Sequence, residues 1–320
     1  MSTLVLSGRD VKELLDMPAA IGAVEQAFKD LQQGKAQMPP KAYLVVPDGD
    51  FRAMPCAVAG AAGLKWVNVH PRNPSHGLPT IMAVLIYNNP QTGYPLAIMD
   101  ATEITAFRTG ATSAIASKYL AKKNSTTLGI VGAGYQAHTH LIAHTSVFDL
   151  KSIIIFDLRE AAAQKLVDSF PNFPVKKGGL EEVAACDIIC TLTPSHTPYF
   201  PAALVQPGSH INAIGADAAG KQELEGKIIK KAKVVVDDIT QASKAGEINV
   251  SISQGEFSAN DIHATLGEVI CSQKKGRTSA DDITVFDSTG VAIEDISVAK
   301  LVYERANRDG GFRRLDLVEK

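Results

Sequence analysis

Hydrophobic positions change their spacing along the chain. Between residues 11 and 31 they recur at helical intervals behind a capping box formed by Ser7 and Asp10, which predicts an opening helix. Over residues 42–95, short runs rich in β-formers alternate with turn residues, a pattern typical of a mostly antiparallel sheet. A stretch rich in Ala, Thr and Ser over residues 103–120 predicts a closely packed helix that connects two domains.

From residue 127 onward, short apolar strands alternate with helix-like segments. Uninterrupted β-branched strands of this kind indicate a parallel sheet covered on both faces. The predicted fold class is therefore α/β, with a Rossmann-type doubly wound parallel sheet over residues 116–290. A second, α+β domain with a largely antiparallel sheet is expected over residues 1–115 and 291–320, because residues 291–306 predict an amphipathic helix that returns to it. The predicted strands are 128–131, 152–156, 187–191, 210–214, 233–236 and 283–286.

Composition and charge exclude several classes of protein. The chain has 320 residues, 45% of them apolar and 21% charged, with a formal net charge of −2, so we expect a globular protein without a nucleic-acid partner. Its apolar runs are shorter than the about 20 residues that cross a bilayer, and its start lacks the pattern of a signal peptide. The four cysteines form no CxxC pair, which favours a reducing compartment. We therefore expect a cytoplasmic enzyme with no membrane partner.

A G-x-G-x-x-A motif begins at Gly132, directly after a predicted strand and at the start of a predicted helix. In dinucleotide-binding domains the first glycine permits a tight turn. The second, here Gly134, lets a pyrophosphate approach the backbone, while Ala137 allows the helix to pack closely on the strand. Asp157 ends the next strand, where a carboxylate accepts hydrogen bonds from ribose hydroxyls and repels a 2′-phosphate. The motif predicts NAD as the cofactor, although Arg159 is close enough in sequence to reach a phosphate.

No metal site is expected. His138, His140 and His144 include an i, i+4 pair, but they lie on the helix that follows the glycine loop. Two further polar residues, Glu247 and Asn249, either face a cleft or pair locally, and the sequence does not decide between these alternatives.

Six ordered segments distributed along the chain carry a resemblance to a known family. They are GLKWVNVHPRNPSHGLPT (63–80), FRTGATSAIASKYLA (107–121), VGAGYQA (131–137), HINAIGADAAGKQEL (210–224), GEINV (246–250) and FDSTGVAIED (286–295). In these segments the sequence resembles the ornithine cyclodeaminase/mu-crystallin family of NAD(P)-dependent proteins, and within it the archaeal-type alanine dehydrogenases. The resemblance implies a homodimer joined through the N-terminal domain, which is then the substrate-binding and dimerisation domain. It also implies an active site between the two domains.

The resemblance assigns roles to individual residues. Lys65 matches the family's catalytic lysine and Asp217 its catalytic aspartate, while Arg108 matches an arginine near the substrate carboxylate and the cofactor. The positions that match cofactor-contacting residues are Thr80, Arg108, Thr109, Gly132, Gly134, Tyr135, Gln136, Asp157, Leu158, Arg159, Thr193, Ile214, Gly215, Ala216, Asp217, Lys221, Ser288 and Gly290.

Two positions depart from the ornithine-specific members of the family. Where those enzymes carry a glutamate for the distal ammonium of ornithine, this chain has Arg52, and where they carry an arginine it has Lys41. The alanine dehydrogenase-like members share this Lys/Arg pattern.

Arg52 and Arg108 suit a substrate carboxylate because a guanidinium binds a carboxylate through two parallel hydrogen bonds. Lys65, with a pKa lowered by burial and by neighbouring arginines, suits an acid and base, and Asp217 suits a group that steadies a cationic imine.

The residues and the resemblance together predict an NAD-dependent dehydrogenase that interconverts L-alanine with pyruvate and ammonia. An ornithine cyclodeaminase or a reductase of cyclic imino acids is the alternative on the same scaffold. A catalytically silent protein that holds the cofactor and a small ligand, as mu-crystallins suggest, is the alternative from another class. The expected partners are a small amino acid or 2-oxo acid substrate and a second copy of the chain.

Overall fold

The chain folds into two compact units, and the computed structural model describes residues 2–318. One unit comprises the residues up to Arg108 together with those from Val291 onward, and the other comprises Thr109–Gly290. The division lies within a continuous helix, whereas the boundary predicted from the sequence lies at 115/116. Residues 108–117 of this helix are all buried, so its hydrophobic pattern shows no break between the units.

Two sheets contain the strands of the described residues. The strands are β1 (Thr3–Leu6), β2 (Ala42–Val46), β3 (Gly49–Val58), β4 (Ala61–Val69), β5 (Ile81–Asn88), β6 (Pro95–Asp100), β7 (Thr127–Val131), β8 (Ser152–Phe156), β9 (Val175–Lys177), β10 (Ile188–Thr191), β11 (His210–Ala213), β12 (Lys233–Val236), β13 (Ala264–Thr265), β14 (Thr284–Asp287) and β15 (Arg314–Leu315).

The α-helices largely alternate with the strands of the second unit, whereas strands β2 to β6 follow one another without an intervening α-helix. The helices are α1 (Gly8–Leu14), α2 (Met17–Gln32), α3 (Thr102–Leu120), α4 (Tyr135–Thr145), α5 (Glu160–Asp168), α6 (Leu180–Ala184), α7 (Gly226–Lys231), α8 (Ile239–Ala245), α9 (Asn249–Ser253), α10 (Leu266–Ile270) and α11 (Ala292–Asp309). Within residues 2–318, none is long and apolar enough to cross a membrane.

The first unit is built on a seven-stranded sheet in the order β15-β1-β6-β5-β4-β3-β2. Only the β1–β6 pair within it is parallel, which confirms the predicted, largely antiparallel sheet. Helix α11 packs against α2 and against β3 and β4. The C-terminal helix therefore belongs to the same core as the N-terminal strands.

The second unit is built on an eight-stranded sheet in the order β13-β12-β14-β11-β10-β7-β8-β9, with every neighbouring pair parallel. Its six inner strands are those that the apolar runs predict, and the α/β fold class is confirmed. The two edge strands, β9 and β13, were not predicted because two or three residues are too few for a hydrophobic pattern.

The opening segment differs from the single helix that its pattern predicts. Strand β1 comes first and pairs with β6 and β15. The capping box of Ser7 and Asp10 then starts α1. A second helix, α2, begins after Asp16, whose side chain accepts the N–H of Ala19 at 3.0 Å, with Pro18 in the first turn. The single-helix prediction is therefore wrong, because Asp16 and Pro18 form a start signal inside the hydrophobic repeat.

Two histidines of α4 face α3 within the second unit. His140 Nε2 lies 2.9 Å from Ser113 Oγ, and His144 Nε2 lies 3.0 Å from Ser117 Oγ. In each ring, Nδ1 lies 2.8 Å from the carbonyl oxygen one turn earlier. Burial lowers the pKa of His144 to about 4, so this ring is neutral and serves the packing of the two helices.

Candidate functional site

Lys65 is buried in the first unit, within an ion-pair cluster. Side chains alternate along β4, so Lys65 and Val67 are buried while Trp66 is 41% exposed on the opposite face. The ammonium Nζ of Lys65 lies 2.7 Å from Asp295 Oδ2 and 3.4 Å from Thr105 Oγ1. The side chain of Lys65 is only 1% exposed, so its charge depends on these protein partners rather than on water.

Arg108 is the second cation of this cluster. Its Nη1 donates to Glu294 Oε2 at 2.5 Å, and its Nε lies 3.1 Å from Asp295 Oδ1. Both carboxylates lie in the first turn of α11 and are fully buried. Two cations thus face two carboxylates, and the cluster of Lys65, Arg108, Glu294 and Asp295 has no net charge when all four groups are ionised.

The protonation of Lys65 is finely balanced. Burial is the largest influence and lowers the pKa, the negative charge of Asp295 raises it, and Arg108 and half-buried Lys41 lower it again. The result is a pKa of about 7 for Lys65 instead of 10.5. A group with that pKa both gains and loses protons near neutral pH, which is what general acid–base catalysis requires.

Arg52 lies on β3, directly beside β4. It pairs with Val67 across the two strands, so it shares the buried face that carries Lys65. Its Nε and Nη2 donate to the two carboxylate oxygens of Asp50 at 2.7 and 3.3 Å, and its guanidinium lies 5.5 Å from the centre of the Tyr43 ring. A bidentate acceptor and an aromatic ring therefore fix the orientation of this cation.

The glycine loop joins β7 to α4 in the second unit. Gly132 has a φ of +97°, and a Cβ there would come within 3.1 Å of Thr193, so other residues would strain this turn. A Cβ on Gly134 would meet no atom within 4 Å, which leaves open space at the N-terminus of α4. Ala137 is fully buried. The shape of this loop fits a pyrophosphate at the helix N-terminus.

Asp157 follows β8 and is bonded to the glycine loop. Its Oδ2 accepts the N–H of Ala133 at 2.7 Å, and its Oδ1 accepts the N–H of Arg159 at 2.8 Å. The Arg159 side chain is 76% exposed, with Nε 3.5 Å from the same carboxylate. A carboxylate offers about four acceptor positions, so Asp157 can hold this loop and also accept ribose hydroxyls.

One buried carboxylate, that of Glu223, holds both Thr193 and Gly215. Its Oε1 accepts the N–H and the hydroxyl of Thr193, each at 2.7 Å, and its Oε2 accepts the N–H of Gly215 at 2.9 Å. Glu247 in turn accepts the N–H groups of Glu223 and Leu224 at 2.9 and 2.6 Å. Burial raises the pKa of both glutamates. The carboxylate of Glu247 is thus bonded to backbone groups 23 and 24 residues away in sequence.

Asp217 and Lys221 share the loop that follows β11. Lys221 Nζ lies 2.6 Å from Asp217 Oδ1, and both side chains are partly buried. Asn249 supports this loop, because it accepts the N–H of Gly220 and donates to the carbonyl of Lys221, both at 2.9 Å. Asp217 therefore has a cationic partner on its own loop.

The turn from Ser288 to Gly290 is held by another buried carboxylate, Asp237, at the end of β12. Its Oδ2 accepts the N–H groups of Thr289 and Gly290 at 2.6 and 2.7 Å. Gly290 has a φ of +73°, which favours glycine at this position. Backbone N–H groups and a buried acid thus fix the turn that follows β14.

The remaining positions predicted to contact the cofactor are found in both units. In the first unit, Thr80 comes just before β5. In the second unit, Thr109 is buried in α3 and Leu158, after β8, is 93% exposed. The others lie at the start of α4 or after β11, and they are Tyr135, Gln136, Ile214 and Ala216.

Comparison with known proteins identifies the family of this chain. The model of the ornithine cyclodeaminase/mu-crystallin family matches residues 1–310. The chain therefore belongs to this family, which confirms the resemblance of its six segments. Among the relatives, the alanine dehydrogenase of Archaeoglobus fulgidus is 53% identical over 308 residues, which cover 96% of this chain and 96% of that protein.

Solved structures show the same fold. An archaeal alanine dehydrogenase, described as a dimer with bound NAD, matches with a TM-score of 0.98 and 51% identity over 99% of this chain and 100% of that one. The Δ1-pyrroline-2-carboxylate reductase of Thermococcus litoralis, in complex with NADH and L-proline, matches with a TM-score of 0.94 and 34% identity over 98% of this chain and 100% of that one.

Several acidic residues of the site were not predicted from the sequence. Asp295 lies in the last of the six segments that resemble the family, but nothing in that segment gave it a role. Glu223 and Asp237 were missed because each accepts a backbone N–H group that is distant in sequence, from Thr193 and Gly290 respectively. Paired acids between apolar neighbours at the start of a helix, as in VAIEDI, are the pattern that indicates a buried ion-pair cluster.

Proposed function

We propose that this chain catalyses the reversible, NAD-dependent oxidative deamination of L-alanine. In this reaction L-alanine, water and NAD⁺ give pyruvate, ammonium, NADH and a proton. The observation that carries the proposal is the buried cluster around Lys65, in which Asp295 lies between Arg108 and a lysine with a pKa of about 7. The similarity to the Archaeoglobus fulgidus alanine dehydrogenase over nearly the whole chain supports alanine as the substrate.

The second unit has the features of a site for NAD. Gly134 and the N-terminus of α4 would hold the pyrophosphate, and Asp157 would accept the ribose hydroxyls. Thr193 and Gly215, both bonded to Glu223, would line the rest of the cofactor. A nicotinamide cofactor held there would supply the acceptor and donor of the hydride that leaves or joins the Cα of the amino acid.

The residues of the chain supply the other requirements of the reaction. Arg52 and Arg108 hold the substrate carboxylate, since guanidinium groups bind carboxylates bidentately. Lys65 takes a proton from the substrate amine and then exchanges protons with the water that adds to the imine. Asp217 offers a negative charge to the cationic imine, which lowers the cost of forming it.

A first prediction concerns the choice of cofactor. Replacing Asp157 by Ser removes a negative charge that repels a 2′-phosphate, so the ratio of the NADPH to the NADH dissociation constants should fall. Asp157→Asn, which keeps the size of the side chain, should lower the ratio in the same direction. Arg159→Ala removes a cation near a 2′-phosphate and should raise it. Fluorescence titrations measure all these constants, and equal constants for both cofactors in the unmodified protein would contradict the role of Asp157.

We also propose that the chain forms a homodimer through its first unit. Trp66, Val84 and Ile86 are exposed together on one face of the sheet, and Leu44 and Val45 of the edge strand β2 are exposed as well. Contiguous exposed apolar side chains of this kind are typical of protein–protein interfaces. The similar archaeal alanine dehydrogenase is described as a dimer, which supports the same assembly here.

The decisive test of the function is a substrate screen that follows the oxidation of NADH. We expect consumption of NADH with pyruvate and ammonium together, and none with either alone. Reduction of a cyclic imino acid without ammonium, at a higher kcat/KM than pyruvate, would instead indicate the second candidate, which the Thermococcus litoralis structure supports. NADH binding without turnover of any of these substrates would indicate a silent binding protein.

A further inference from the structure

We propose that Asp295 is the positioning residue of Lys65, which fixes the direction of its ammonium group and joins it to Arg108. This proposal rests on the proposed function of Lys65 as acid and base. The comparisons and the sequence motifs give Asp295 no role, and its assignment comes from its contacts. With this role for Asp295, helix α11 contributes a positioning residue to the active site in addition to its packing in the core.

The two carboxylate oxygens of Asp295 serve two different cations. Oδ2 lies 2.7 Å from Lys65 Nζ, and Oδ1 lies 3.1 Å from Arg108 Nε. One planar group therefore sets the positions of the proposed base and of a proposed carboxylate-binding residue. A shift of the carboxylate would move both cations at once, and errors of about 1 Å in such positions cost large factors in rate.

The position of Asp295 on its helix makes it a rigid support. It lies in the first turn of α11, where backbone N–H groups without an acceptor in the helix favour negative charge. Its neighbour Glu294 accepts the guanidinium of Arg108 at 2.5 Å, so Asp295 is packed beside a second ion pair. The side chain is fully buried, which excludes water as a competing partner.

The charge of Asp295 influences the protonation state of Lys65. The charged and titratable groups around the pair are Arg108 on α3, Glu294 on α11, Lys41 before β2 and the Cys56 thiol on β3. Loss of the Lys65 proton leaves the four-residue cluster with a net negative charge inside the protein, which is costly. Asp295 thus favours the ammonium form and raises the pKa of Lys65.

The test measures the titration of Lys65 directly. Protein labelled with ¹³C at the lysine Cε is titrated by NMR, and the Lys65→Arg variant identifies the Lys65 signal by its loss. In Asp295→Asn we expect the acid dissociation constant of Lys65 to rise at least tenfold. The acidic limb of the pH profile of kcat/KM for the deamination of L-alanine, the direction in which Lys65 takes a proton, should move to lower pH by the same amount.

Glu294→Gln is the matched control, because it removes an equal charge from the same cluster at a residue whose ion pair is with Arg108, whereas the ion pair of Lys65 is with Asp295. We expect a clearly smaller change in the titration of Lys65 for this variant. Equal changes in Asp295→Asn and Glu294→Gln would overturn the proposal, because a general effect of charge would then explain both. An unchanged titration in Asp295→Asn would overturn it as well.

Asp295→Glu keeps the proposal testable if Asp295→Asn does not fold. This variant retains the charge and lengthens the side chain by one methylene. We expect a titration of Lys65 close to that of the unmodified protein, together with a fall in kcat, because the ammonium is displaced. Unchanged kcat in this variant would contradict the positioning role. If pyruvate is not consumed but the NMR titration changes as expected, the proposed function fails while the role of Asp295 stands.

Discussion

Alanine in place of Lys65 is expected to lower kcat for the amination of pyruvate by at least ~10²-fold, the usual scale of general acid–base catalysis. The ammonium of Lys65 is the group whose pKa, about 7, suits proton exchange at neutral pH. The dissociation constant of NADH should stay nearly unchanged, since the glycine loop and Asp157 belong to the other unit. Steady-state kinetics and a fluorescence titration with NADH measure the two quantities.

A loss of activity through unfolding must be separated from a loss of catalysis. Alanine removes one of the two cationic partners of the buried Asp295 and leaves one cation facing two carboxylates, and breaking a buried ion pair in this way costs roughly 3–5 kcal/mol. The double variant Lys65→Met/Asp295→Asn removes both charges, so it should melt near the temperature of the unmodified protein and remain inactive. Lys300→Ala changes a partly buried lysine that donates to the Ala59 carbonyl, and it should leave kcat unchanged. Near-normal turnover by folded Lys65→Ala would remove Lys65 from the mechanism.

Local patterns account for what could be predicted of the fold. The six inner strands of the parallel sheet were predicted because they are short, mainly apolar runs between helix-like segments; β11, which contains His210 and Asn212, is the least apolar of them. Strand β1 was missed because its four residues, at one edge of the apolar opening segment, pair with segments about 90 and 310 residues further along the chain. Long-range pairing of this kind leaves no mark in local spacing.

The same distinction applies to the candidate site. The glycine loop was predicted from the sequence because the positive φ of Gly132 and the open space at Gly134 are requirements within a few residues. The partners of Lys65 and Arg52 were not predicted. The packing of α11 on β4 brings Asp295 to Lys65. Asp50 reaches Arg52 because residues two apart on strand β3 lie on the same face of the sheet. Tertiary packing determines the contact of Lys65, whereas the contact of Arg52 is local, between residues two apart on one strand.

Ornithine is expected to be at best a poor substrate, with a kcat/KM several-fold to about a thousandfold below that of a substrate without a distal charge. The guanidinium of Arg52 would face the distal ammonium of ornithine. Like charges near 4 Å cost roughly 1 kcal/mol in water and about 4 kcal/mol at an effective dielectric of 20, which corresponds to this range. Alanine has no distal charge and meets no such repulsion. Ammonia release from ornithine, compared with NADH consumption by pyruvate and ammonium, measures the difference.

Variants of Arg52 test whether this side chain causes the discrimination against ornithine. Arg52→Gln removes the cation and should raise the KM for pyruvate by about 5- to 1000-fold, the same electrostatic range. Arg52→Glu should raise it further, since a second carboxylate would then lie beside Asp50, which now accepts the guanidinium at 2.7 Å. Asp50→Asn is the control that keeps the cation and only loosens its orientation, so its KM should rise least. Neither substitution of Arg52 needs to create cyclodeaminase activity, because Lys41 remains. Efficient conversion of ornithine to proline by the unmodified protein, with no consumption of pyruvate, would mean that Arg52 does not face the substrate and that the alanine proposal is wrong.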